Sequence, residues 1–294
     1  MTLSLTTLRY GVTDHIATVT LNRPDARNAL NVAMCGELVD VMNAAAADDD
    51  VRVVLIAAEG IAFCAGADLK ERKTMTHADM TARRVRGFAA YAAIEGLPKP
   101  VIAVVHGAAF GSGCEIAAAS DFILASDAAS FCYPEVGWGT VGATQRLPRV
   151  VGRRMAKELL FTGRKFDAQE ALAMGLVNHV YPADRLMAEA QAMAIKIAAA
   201  NPLTVRLTKR SVDTGLEGTR EGAMAVELLA IEENLRGSDW QAAIAGFGRG
   251  AQESDASTAS SSSAGSEAAE APGAVAVSAG VRANAAAATS KKES

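Results

Sequence analysis

The chain has 294 residues, 50% of them hydrophobic, which supplies apolar material for one large core. Its formal net charge of -4 and aromatic share of 5% argue against a basic or stacking surface for nucleic acid and against an electrostatic grip on anionic membrane. No apolar run reaches the roughly 18 to 20 residues that a membrane-crossing helix needs, and the start, Met1 to Leu5, lacks the pattern of a secretory or transit leader. Cys35, Cys64, Cys114 and Cys132 have no CxxC spacing, and the four histidines are scattered, which argues against a zinc site or a disulfide framework. A soluble protein of a reducing compartment, with a cytoplasmic location, is the expectation.

In chain order, Ile16 to Leu21 alternates as a strand and meets a turn at Asn22-Arg23-Pro24-Asp25. A helical pattern covers 28–47. Val51 to Ala57 and Val101 to Val105 are nearly continuous apolar runs, as strands covered on both faces require. Helical patterns cover 78–95, 113–120, 152–162 and 168–174, and weaker strand signals lie at 122–125 and 176–180. From 184 to 246 the pattern is helical, broken at Asn201-Pro202 and near Gly215-Leu216-Glu217-Gly218. Beyond Gly250 aromatic residues vanish and Ala and Ser dominate, so 251–294 is read as a disordered tail. The sequence predicts an α/β core followed by helices.

Three segments could carry chemistry. Ala62 to Arg72 follows a strand, and its small residues let a ligand approach the backbone. Gly107 to Ile116 joins a buried strand to a helix start, where free N–H groups and a positive dipole end collect. Glu115 lies one turn into that helix, and a carboxylate in such an apolar setting is costly unless used or paired. In the third segment, Pro134 should end a strand and leave Glu135 at its mouth. Gly137 to Gly142 matches GxGxxG in letters only, because no suitably placed acidic residue ends a second strand.

Taken in order, Leu21-Asn22-Arg23-Pro24, Arg27-Asn28-Ala29-Leu30, Cys64 to Lys70, Gly107 to Ile116, Pro134-Glu135, Thr144 to Arg149 and Ala171 to Val177 resemble the enoyl-CoA hydratase/isomerase (crotonase) superfamily. Ala67 to Lys73, followed by Met75, is most similar to the methylglutaconyl-CoA hydratase branch. The resemblance implies an α/β fold made of a crotonase-like spiral of ββα units over residues 1–200, a helical trimerisation part over 201–250, and a trimer or dimer of trimers. It implies an acyl-CoA substrate and no metal or redox cofactor. The backbone N–H groups of Ala67 and Ser112 would form an oxyanion hole, with Glu115 and Glu135 as acid and base of a hydratase. Arg27, Ala65, Asp68, Leu69, Lys70 and Gly111 would contact substrate or coenzyme A, and Arg72 and Lys73 could meet its phosphates or be plain surface charge.

Two departures stand out. Ser112 occupies a position that is most often Gly in the family, and the stretch from Glu135 to Thr144 is about three residues shorter than usual. An isomerase, a thioester hydrolase and an RNA-binding homologue stay open as alternatives.

Overall fold

The computed structural model describes residues 3–245, so the expected tail at 251–294 lies outside the described residues. The chain divides into two units, Met1–Asp239 and Trp240–Ser294. The first begins with the hairpin β1 (Leu8–Thr13) and β2 (Ile16–Leu21), turned by Asp14 and His15 in left-handed backbone. Helix α1 (Val32–Ala47) is capped by Asn31, whose side chain accepts from the Met34 N–H. There follow β3 (Val53–Ala58), β4 (Ala62–Cys64), the short α2 (Leu69–Arg72) and α3 (His77–Glu95), the last opened by a Thr76/Asp79 capping box.

The pattern of two strands and a helix repeats in β5 (Val101–Val105), β6 (Ala108–Phe110) and α4 (Ser112–Ala118). It recurs with β7 (Phe122–Ser126), β8 (Ser130–Cys132), α5 (Arg146–Val151) and α6 (Arg153–Thr162). Then come β9 (Lys165–Asp167), α7 (Ala168–Ala173), β10 (His179–Tyr181) and α8 (Leu186–Ala198). Two helices packed on each other, α9 (Pro202–Leu216) and α10 (Arg220–Gly237), end the unit. The described part of the second unit is α11 (Trp240–Ala245).

In each repeat the first strand joins a large sheet of order β1-β2-β3-β5-β7-β10, and the second joins a small sheet of order β4-β6-β8-β9. Strands β2, β3, β5, β7 and β10 run parallel, as do β4, β6 and β8. This is the spiral of ββα units expected from the sequence. The apolar runs at 53–58 and 101–105 are continuous because both faces of the large sheet are covered. Val54 and Ile56 face the main core with Leu38, Phe63 and Phe131, whereas Val53, Leu55 and Val104 pack with Leu186, Ala190 and Ala194 of α8. The GxGxxG match falls in a 3₁₀ turn, Glu135–Trp138, and the loop after it, not between a strand and a long helix.

One buried carboxylate fastens the N-terminal edge. Glu37 of α1 accepts from the N–H and hydroxyl of Thr6 at 2.9 and 2.6 Å, from those of Thr7 at 2.9 and 2.7 Å, and from the Leu8 N–H at 3.1 Å. Burial pushes its pKa up, but the bonds from Thr6 and Thr7 outweigh that and hold it below the ordinary value. Glu37→Gln should therefore lower stability at neutral pH by roughly 2 kcal/mol in urea unfolding. The advantage of the native residue should be complete above the ordinary glutamate pKa and vanish as pH falls through its lowered folded-state value. Equal stabilities at neutral pH would contradict this.

Candidate active site

Strands β4, β6 and β8 lie side by side and parallel, so their carboxyl ends fall along one edge of the small sheet, the usual place for a ligand in parallel sheets. The three segments that leave those ends carry Ala65 to Leu69, Gly111 to Glu115, and Pro134-Glu135. All three line one cavity of about 300 Å³. The approach is close. A Cβ on Gly113 would sit 2.2 Å from the Cys64 carbonyl oxygen, so α4 can seat against the end of β4 only with glycine there.

The loop after β4 is held by the Arg23 to Leu30 segment acting as a backbone template. Ala65 N–H donates to the Arg27 carbonyl at 3.0 Å, Leu30 N–H to Gly66 at 2.8 Å, and Asp68 N–H to Leu30 at 2.9 Å. Asn28 is fully buried and in left-handed backbone; its side chain accepts from Arg23 N–H and donates to the carbonyls of Glu59 and Ala62. These bonds leave the Ala67 N–H without an acceptor among the described residues, and the Ser112 N–H, at the start of α4, is likewise without one. Two unpaired donors thus sit on adjoining segments that line one cavity.

Glu115 is buried on α4. Arg146 of α5 donates to its Oε2 at 3.3 Å, while Oε1 is buried with no partner. Glu135 is half-buried, and its Oε2 is also buried without a partner. The residue across from it is again a glycine of necessity: Gly111 has φ +47°, and a Cβ there would lie 3.0 Å from Glu135 Oε1. Burial pushes the Glu115 pKa up, Arg146 pulls it down and Glu135 pushes it up again; the net direction is upward. Burial likewise raises Glu135, against the longer-range pull of Arg72 and Arg84. Two carboxyls so placed titrate as a pair.

Of the residues expected from sequence, Ala65, Ala67, Leu69, Gly111, Ser112, Glu115 and Glu135 line this cavity. Arg27, Asp68 and Lys70 do not. Arg27 and Lys70 are exposed, and the Asp68 carboxylate caps α2 through the Lys70 and Glu71 N–H groups and pairs with Arg23 at 2.9 Å. Arg72, left between phosphate contact and surface charge, lines the cavity, and its Nε is buried and unpartnered. Residues that the sequence did not single out also contribute. Tyr91 of α3 reaches toward the Ser112 hydroxyl, and Arg84 of α3 donates to the Val141 carbonyl at 2.8 Å and to the Thr140 hydroxyl, pinning the loop after Glu135. Exposed Phe88, Trp138 and Val141 add apolar surface to the lining.

A family model described as enoyl-CoA hydratase/isomerase matches residues 11–249. A short-chain-enoyl-CoA hydratase of Clostridium acetobutylicum is 40% identical over 236 residues, covering 79% of this chain and 90% of that protein. A crotonyl-CoA hydratase of Syntrophomonas wolfei is 38% identical, covering 73% of this chain and 84% of the relative. Among solved structures, an enoyl-CoA hydratase from Bacillus anthracis superposes with a TM-score of 0.81 at 34% identity, covering 82% of this chain and 96% of that one. With the matched region spanning most of its length and both sheets of its fold, the chain belongs to the enoyl-CoA hydratase/isomerase family of enzymes.

Proposed function

We propose that the protein hydrates 2-enoyl-CoA thioesters reversibly to 3-hydroxyacyl-CoA. The observation that supports this most is that Glu115 and Glu135 each leave one buried, unpartnered carboxyl oxygen while lining the same cavity. Buried acceptors without partners are costly, and a water shared between them would satisfy both.

In this reading the thioester oxygen accepts hydrogen bonds from the N–H groups of Ala67 and Ser112. The Glu115 carboxylate takes a proton from the water as its oxygen bonds to the β-carbon. The π electrons move through the α-carbon onto the thioester oxygen, where the two donors stabilise the enolate. Loss of one such donor typically costs about 2.7–4 kcal/mol of barrier. The enolate electrons then return, and the α-carbon takes the proton of a neutral Glu135. One carboxyl gains a proton and the other loses one, so the site resets by proton exchange with solvent. The chain's own groups supply all of this chemistry, and no metal or redox cofactor is called on. Arg27 and Lys70, both exposed, would meet coenzyme A phosphates outside the cavity.

The α9–α10 pair leaves Leu216, Leu228, Leu229 and Leu235 exposed. We take this face as the surface of self-association, giving a trimer or dimer of trimers. Light scattering should return one of those masses, and Leu228→Glu with Leu229→Glu should lower it. A monomer at micromolar concentration would contradict this.

Glu115→Gln and Glu135→Gln should each lower kcat for hydration by about 10²–10⁴-fold, with KM changed little. The assay follows loss of the conjugated enoyl thioester over a panel that includes crotonyl-CoA and 3-methylglutaconyl-CoA. It carries 3-enoyl-CoA and saturated acyl-CoA as isomerase and hydrolase controls. Near-normal turnover in either variant, or turnover of the controls alone, would overturn the reading.

A further inference from the structure

The two glutamates are the same residue type in one cavity, yet their surroundings differ. The Arg146 side chain is 16% exposed and lies over the Tyr91 ring, 5.5 Å from its centroid. Its Nη2 donates to Glu95 Oε2 at 2.7 Å, and its Nη1 to Glu115 Oε2 at 3.3 Å. Tyr91 and Glu95 thus aim the guanidinium, and the guanidinium fixes one oxygen of Glu115 while leaving the other free. Glu135 has no ion pair among the described residues. Arg84 is committed to Thr140 and Val141, Arg72 makes no ion pair among the described residues, and both act on Glu135 without a direct contact.

We infer that Arg146 is the positioning residue that divides the work of the pair, keeping the negative charge on Glu115 and leaving the proton to Glu135. The inference rests on the hydratase reading above and extends it to a residue outside the reacting atoms. Two carboxyls lining one cavity resist being charged together, so the one with a guanidinium in contact ionises first. The other charged or titratable groups around Glu115 do not reverse this. Glu95 from α3, itself half-exposed, and Glu135 both oppose its charge. Tyr91, Tyr133 and Cys114 are buried and held neutral by burial. Asp213 of α9 is coupled to Glu95 and, when charged, adds to the negative field. Arg146 is the direct positive contact.

The test is the pH dependence of kcat/KM for crotonyl-CoA in the full chain and in the variants Arg146→Gln, Arg146→Lys and Glu95→Gln. Losing the guanidinium should raise the pKa of the base, so the acidic limb in Arg146→Gln should move to higher pH. At mildly acidic pH, kcat should fall about tenfold or more, with KM nearly unchanged. Arg146→Lys should restore most of the limb position. Glu95→Gln breaks the other ion pair of the same network but removes a negative charge near Glu115, so its limb should stay or move to lower pH. A purely structural role predicts instead that Arg146→Gln and Glu95→Gln lose activity together with no opposite movement of their limbs, and that result would overturn the inference. If Arg146→Gln fails to fold, an upward limb shift in Glu95→Gln overturns it, and a native limb in Arg146→Lys with no upward shift in Glu95→Gln supports it. Hydration by the unaltered chain with an unmoved limb in Arg146→Gln refutes this inference alone. No hydration by the unaltered chain refutes the hydratase reading and this inference with it.

Discussion

The structure turns on the confinement of two carboxyl groups in one largely apolar cavity with an oxygen of each left unsatisfied. Such an arrangement is expensive in isolation, because a buried acceptor without a donor forfeits its hydration. It persists here because the surrounding fold over-determines it. Backbone packing at Gly113 fixes where α4 begins, Gly111 makes room for Glu135, and Arg146 holds one edge of Glu115. Local strain and desolvation of this kind are what a protein keeps where chemistry requires them.

The repeat of strand, strand and helix explains how distant segments meet. Each first strand adds to the large sheet and each second strand to the small one, so the ends of β4, β6 and β8 become neighbours although they are far apart in sequence. The loop after β4 is shaped by the backbone of Arg23 to Leu30, which accounts for that segment's prominence in the sequence as a structural template. Its Asn28 and Arg23 spend their polar groups on backbone and on Asp68. The same loop then presents Ala67 beside Ser112.

Much of this was legible in the sequence, for physical reasons that also explain the rest. Long strands covered on both faces announce themselves as apolar runs, and the breaks at Asn201-Pro202 and Gly215 to Gly218 fall where α9 and α10 are bounded. The strands β4, β6, β8 and β9 have three residues each, too few for any periodicity; Pro134 marked the end of β8, and the resemblance implied the second strand of the other units. Glu115 could be found because a Glu among small residues at a helix start is conspicuous. Arg146 could not, since its meaning lies in partners 31 and 51 positions away. The resemblance grouped Asp68 with the substrate contacts, and in the structure its carboxylate is occupied as a helix cap and ion-pair partner.

The most direct test of the account is a crystal structure of the protein with a slowly reacting acyl-CoA, such as acetoacetyl-CoA, bound. The account predicts the thioester oxygen within hydrogen-bonding distance of both the Ala67 and Ser112 nitrogens. It also predicts the β-carbon facing the space between the Glu115 and Glu135 carboxyls. A thioester oxygen bound away from those two nitrogens, or an acyl chain that leaves the two carboxyls on the same side and out of reach, would contradict it.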